Sequence, residues 1–292
     1  MLALVPRSES GPLLALAFLL DALTELGDLS GADQALARVD TPHGEPPELL
    51  AWAFVVEARG RLRVAQGRLR EGLSELRQAG ERWQRLSCPC PSTWREDAAL
   101  ALAQLGEHDE AQRLAAKQLD LARATGLPRA LGTATRAAGT VAPRAQRIPL
   151  LREAVDRLKQ TSARLELAKA LVELGAALRR DGHRVEARDH LRQALELAHR
   201  AAATPLAACA REELLAAGGR PRQPIFTGID ALTASELRVA RLAAKGHTNR
   251  EIAESLFVTQ RTVETHISHA FQKLDIARRE DLPAELTAPI SG

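Results

Sequence analysis

Near the end of the 292-residue chain, the stretch "RTVETHISHAFQ" puts Arg261, Thr265, Ser268 and Gln272 at successive spacings of four, three and four residues. At 100° per residue these four share one helical face, with Glu264, Thr262 and His269 beside them. None is bulky and apolar, and most can donate or accept a hydrogen bond. Such a face is shaped to meet base edges in the major groove of DNA, although a solvated surface would have the same composition. The chemistry on offer is recognition. No nucleophile–base arrangement, four-ligand metal set or G-x-x-x-x-G-K-[ST] phosphate loop occurs, so an enzyme, a metal and a cofactor are not expected. Cys88 and Cys90 in "SCPCPS" lack a second cysteine pair or a neighbouring histidine and read as free thiols.

The elements that must position this face are marked by their own residues. Gly246 ends one helix, and Thr248 with Glu251 opens the next with a capping box. Ile252, Ala253 and Leu256 then face inward, "FVT" turns the chain, and Thr259 caps a longer helix. Along that helix Val263, Ile267, Ala270, Phe271 and Leu274 form one apolar stripe. Two capped helices joined by a turn of about three residues make a helix-turn-helix. Upstream, "LTASELRVARLAAKG" predicts a further helix, with Thr233 as N-cap, Glu236 three residues on, and Leu237, Ala240, Leu242 and Ala243 as its apolar face.

This segment, "LTASELRVARLAAKGHTNREIAESLFVTQRTVETHISHAFQKLDI", resembles the LuxR-type (GerE-like) helix-turn-helix over about 55 residues. It carries that family's "LTxxE", "G-x-T-N-x-E-I-A" and "T-V-x-x-H-I … KL". The resemblance implies a four-helix domain binding double-stranded DNA. It places Glu264, Thr265 and Ser268 at base-contacting positions, and Asn249, Arg261, Thr262, His266 and Lys273 where phosphate contacts, or the packing that orients them, are expected. Glu264 would suit a cytosine amino group, since a carboxylate only accepts. Two features depart from the pattern. Residues 228 to 286 hold eight Lys/Arg against nine Asp/Glu, so affinity must come from the placement of Arg250, Arg261, Lys273, Arg278 and Arg279. Pro283 also falls inside "RREDLPAEL", the fourth helix that serves dimerisation in the family, and puts a dimer on DNA in doubt.

The rest of the chain is different. Across the whole chain the apolar residues are mainly Ala and Leu, there is no Tyr, and aromatics make up 3%, which suits packed helices. All but five of its 40 basic residues are arginine, so the +3 net charge says little about nucleic acid. "LTELGDLSGADQAL", "RVAQGRLREGLSEL", "LAQLGEHDEAQRLA" and "LRRDGHRVEARDHL" share one plan: a glycine (Gly27, Gly67, Gly106, Gly182) ends a helix, and a small residue (Ala32, Gly72, Ala111, Ala187) follows five positions later. The spacing predicts a fifth unit near Pro143, with "LLREAVDRL" as its second helix. "DTPHGEPPE", "SCPCPST" and "GTVAPRAQRIP" are read as loops between units. Trp52, Trp83 and Trp94 read as packing residues. The array is similar to tetratricopeptide repeats over residues 13 to 217.

The expected organisation is all-α: a helical-repeat region over 1–217, a linker over 218–230 ("AAGGRPRQPIFTG" around it breaks the pattern), and the DNA-binding domain over 231–292. Repeats before such a domain resemble MalT-like regulators, whose nucleotide-binding module has no counterpart here. The reading is a sequence-specific DNA-binding transcription regulator with RNA polymerase as a partner and a protein or small-molecule effector at the repeats. No apolar run is long enough to span a membrane, "PLLALAFLL" runs into Asp21 and Glu25 at helical spacing, and three cysteines make no disulfide framework, so the cytoplasm is expected. The alternatives are an adaptor with a vestigial helix-turn-helix, a sigma-like promoter reader, or the C-terminal fragment of a larger ATP-dependent regulator.

Overall fold

A computed structural model describes residues 7–38, 50–85, 92–219, 232, 234–256, 258–274 and 276–287. Two compact units emerge, Met1–Pro221 and Arg222–Gly292. Among its described residues the first is a row of five helical hairpins and a closing helix: α1 (Arg7–Leu26) with α2 (Leu29–Ala37), α3 (Leu50–Ala65) with α4 (Leu69–Arg85), α5 (Trp94–Gln104) with α6 (His108–Thr125), α7 (Pro128–Val141) with α8 (Arg144–Lys159), α9 (Arg164–Arg180) with α10 (Arg184–Arg200), then α11 (Thr204–Ala216). No described helix is long and apolar enough to cross a membrane.

The four signature glycines do what the repeat requires. Gly27, Gly67, Gly106 and Gly182 all take positive φ, between 78° and 91°. Beyond each, the next N–H (Asp28, Arg68, Glu107, His183) reaches back five residues to Leu23, Arg63, Leu102 or Leu178, each at 2.9 Å. This is the Schellman ending of a helix. The same bond joins Ala203 to Ala198 after Ala202, which takes φ 52° without being glycine. No glycine flags that turn, so the sequence reading passed over it.

"GTVAPRAQRIP" is not a loop between units. Its first residues belong to α7 and its last to α8, leaving only Ala142 and Pro143 as the connection inside the fourth hairpin. Pro149 sits within α8 and removes one backbone donor near the helix start. The burial of Leu151, Ala154, Val155 and Leu158 behind it holds the helix together. "DTPHGEPPE", the pair Cys88/Cys90, Thr233 and most of 218–230 fall outside the described residues. Trp52, Trp83 and Trp94 are all buried in the core.

Small residues let the paired helices touch. A Cβ on Gly72 would meet the Gly60 carbonyl oxygen at 2.8 Å, and one on Gly175 would meet Leu191 Cγ at 2.5 Å. Neighbouring hairpins are also clipped together by ion pairs. On the first helices, Arg61 bridges Asp21 (2.8 Å) and Asp97 (3.1 Å), and Arg136 bridges Glu173 (2.8 Å). On the second helices, Arg77 pairs with Glu110 and Arg152 with Glu186. The row curls until its ends meet: Lys169 Nζ on α9 pairs with Glu25 on α1 at 2.5 Å, and Gly27 backs onto Pro205, whose Cγ would lie 3.0 Å from a Cβ there.

The second unit contains α12 (Ala234–Ala244), α13 (Asn249–Leu256) and α14 (Gln260–Leu274). Two short 3-10 turns, Arg279–Asp281 and Ala284–Thr287, take the fourth helical position. Pro283 stands between them and accepts the Leu286 N–H at 3.1 Å. Leu286 is buried against Ala240 and Ala270, so this segment closes the domain's own core.

Candidate nucleic-acid interface

Local chemistry fixes the start of each helix. Thr248 and Glu251 form the expected capping box: the Thr248 N–H donates to Glu251 Oε2 at 2.7 Å, and the Glu251 N–H donates to Thr248 Oγ1 at 3.3 Å. The Thr248 N–H and hydroxyl hold the Glu251 carboxyl below the usual carboxylate range. Thr259 caps α14 by accepting the Thr262 N–H at 3.2 Å. Beneath the turn, Val263 (0% exposed) packs with Ile252, Ala253, Val239 and Ala243. This core sets the angle between α13 and α14 and decides which face of α14 turns outward.

That outward face is the one the spacing indicated. Arg261, Glu264, Thr265, Ser268 and His269 are exposed; Thr262 and His266 are half-buried; the Gln272 side chain lies outside the described residues. The Thr265 hydroxyl donates to the Arg261 carbonyl at 3.0 Å, which spends its proton and leaves its methyl and oxygen lone pairs for a partner. Glu264 is touched only loosely, by Gln260 Nε2 at 3.5 Å. Three adjacent side chains thus present an acceptor, a methyl with an acceptor, and a hydroxyl. That is a vocabulary for base edges.

The positively charged residues divide in a way the spacing did not indicate. Arg261 and Arg278 are exposed, and Arg250 is exposed with Glu254 alongside at 3.0 Å. Lys273 instead turns back to α12, where its Nζ meets the Glu236 carboxylate (4% exposed) at 2.6 Å. His269 Nδ1 stands 3.8 Å from the same carboxylate. Arg279 is spent on the turn between α12 and α13. It donates to the Asn249 side-chain oxygen at 3.0 Å, to the His247 carbonyl, and more distantly to the Ala243 carbonyl at 3.4 Å. Asn249 is half-buried at the start of α13. These two long-range anchors, 37 and 30 residues apart in sequence, are contacts that local spacing could not show.

Residues 230–284 match the family described as "Bacterial regulatory proteins, luxR family" (GerE). The chain is 48% identical over 50 residues to the transcriptional regulatory protein LiaR of Bacillus subtilis, covering 17% of this chain and 24% of LiaR. It is 47% identical over 51 residues to the oxygen regulatory protein NreC of Staphylococcus carnosus, covering 18% and 24%. An HTH-type transcriptional regulator of Mycobacterium bovis is 45% identical over 58 residues, covering 20% of this chain and 7% of that protein. The chain therefore spans only a small part of the length of these relatives. Among solved structures, NprR in complex with its cognate peptide NprX aligns with a TM-score of 0.49 at 16% identity, over 90% of this chain and 74% of that one.

Proposed function

Because residues 230–284 are a luxR-family helix-turn-helix domain, we propose that the chain is a sequence-specific DNA-binding transcription regulator. In this reading α14 lies in the major groove, Glu264, Thr265 and Ser268 meet base edges, and Arg261 meets phosphate. Asn249, Thr262 and His266 hold or touch the backbone, and Lys273 orients α14 through Glu236. The observation that carries it is the outward face of α14: polar, exposed and almost unengaged, over a core that fixes its direction. The repeat unit is the receiving half, taking a protein or small-molecule effector, and RNA polymerase is the downstream partner. The domain division at 217/218 and 230/231 and a cytoplasmic location belong to the same proposal.

Selection of bound sites from a random DNA pool tests this directly. An enriched sequence is expected, and Glu264→Ala should relax preference at one position by roughly 1–3 kcal/mol while sparing random DNA. Arg261→Ala should weaken binding to the selected site and to scrambled DNA alike, and lower the log–log salt slope by about 1. A pool that yields no enriched sequence favours the adaptor alternative, which the domain's near-balanced charge supports.

A further inference from the structure

We propose that Arg279 is a positioning residue for backbone binding: it locks the Asn249 side-chain amide with its oxygen inward and its two N–H donors free for a DNA phosphate. The proposal rests on the reading that α14 enters the major groove, in which the preceding helix crosses the phosphate backbone.

The geometry leaves the amide no choice of orientation. A guanidinium has five N–H donors and no acceptor, so the Asn249 atom 3.0 Å from Arg279 Nη1 must be the carbonyl oxygen. Asn249 is the first residue of α13. There the opening backbone N–H groups of a helix lack intrahelical partners and the helix dipole favours an anion. Thr248 and Glu251 satisfy each other's N–H groups in the capping box, so the amide donors and the opening N–H groups are what remains to offer. Arg279 is itself held in place. Besides Asn249 it grips the His247 carbonyl, one residue before the capping threonine, and leans on the Ala243 carbonyl at the end of α12. One side chain from the far end of the domain thereby ties together the turn, the helix start and the amide.

The consequence differs from that of an ordinary basic contact. Arg279 contributes to DNA affinity through a neutral donor, so its effect should carry little counterion release. The test measures the full chain against its selected site and against scrambled DNA at several salt concentrations, beside thermal melting. Asn249→Ala is expected to lower affinity for both DNAs by roughly ten- to a hundredfold, as for one hydrogen bond to a charged group, with the salt slope unchanged. Asn249→Asp keeps the acceptor for Arg279 but replaces the donors with negative charge. It should bind both DNAs more weakly still while melting as the parent does. In an Arg279→Met background, Asn249→Ala should cost nothing further. Should Arg279→Met melt below the assay temperature, Arg279→Lys serves in the same cycle, and the Asn249→Ala penalty should shrink there. An equal Asn249→Ala penalty with and without Arg279 would overturn the proposal, as would an Asn249→Asp protein that binds scrambled DNA normally. Absence of DNA binding by the parent chain would instead fell the groove reading itself.

Discussion

Glu96, 2% exposed, lies inside the repeat unit and accepts from the Thr133 hydroxyl at 3.1 Å. Burial pushes its carboxyl up from the ordinary 4.5 to about 8; Arg136 pulls the other way, and Asp97 and Glu166 add to the rise. The folded protein therefore keeps this proton to higher pH than the unfolded chain does. Its contribution to stability is full below about 4.5, declines as pH rises, and is lost above about 8. Glu96→Gln keeps the acceptor and removes the titration. It should match the parent in acid and melt progressively higher than the parent between pH 5 and 9. A variant less stable at every pH would mean that Glu96 works as an ion-pair partner of Arg136. At this scale the sequence was legible wherever partners sit three or four residues apart, as in the Thr248–Glu251 box, the Thr259 cap and the stripe through Val263. Lys273 and Arg279 were read outward because their anchors, Glu236 and Asn249, come close only after three helices have crossed.

Helices and turns were the most readable level, because each is specified by a local rule. A glycine at positive φ ends the first helix of a hairpin, and a small residue five positions later admits the second. Where another residue filled the glycine's place, as Ala202 does, or a proline suggested a loop, as in "GTVAPRAQRIP", the rule misfired. The crossing of α3 and α4 gives the rule a measurable form. A Cβ on Gly72 would sit 2.8 Å from the Gly60 oxygen and 2.9 Å from the Val64 nitrogen, both backbone atoms that cannot swing aside. Gly72→Ala gains about 1 kcal/mol of helix propensity but should lose roughly 1–3 kcal/mol to overpacking. The repeat unit's melting temperature should therefore fall by a few degrees at about 2–4 °C per kcal/mol. A rise in melting temperature would show that the two helices do not approach this closely. The arginine surplus also finds its use here, since Arg77 reaches Glu110 and Arg152 reaches Glu186 one repeat further on. Such pairs at repeat spacing are visible in the sequence once the period is known.

The whole molecule holds what no local rule could reveal, the meeting of α1 with α9 and α11. Glu25 and Lys169 are 144 residues apart, and nothing near either one announces the other. In an open row each hairpin leans only on its neighbours, so stability adds up unit by unit and the ends fray first. Here Glu25–Lys169 and Gly27–Pro205 pin the two ends to each other. Opening at either end must then break a contact that also secures the opposite one. Hydrogen exchange should find the amides of α1 and α11 nearly as protected as those of α5 and α7, with a single cooperative unfolding event. Lys169→Ala should return α1 and α11 to fast local exchange while leaving α5 and α7 slow; equal protection in both proteins would mean the ends are independent. The same seam has a kinetic side. Hairpins close over short loops and can form early, whereas the seam bears the loop-closure entropy of most of the unit. Joining the ends should therefore be the last step of refolding, and the mutant, spared that step, should reach its hairpin-level structure no more slowly than the parent while unfolding faster.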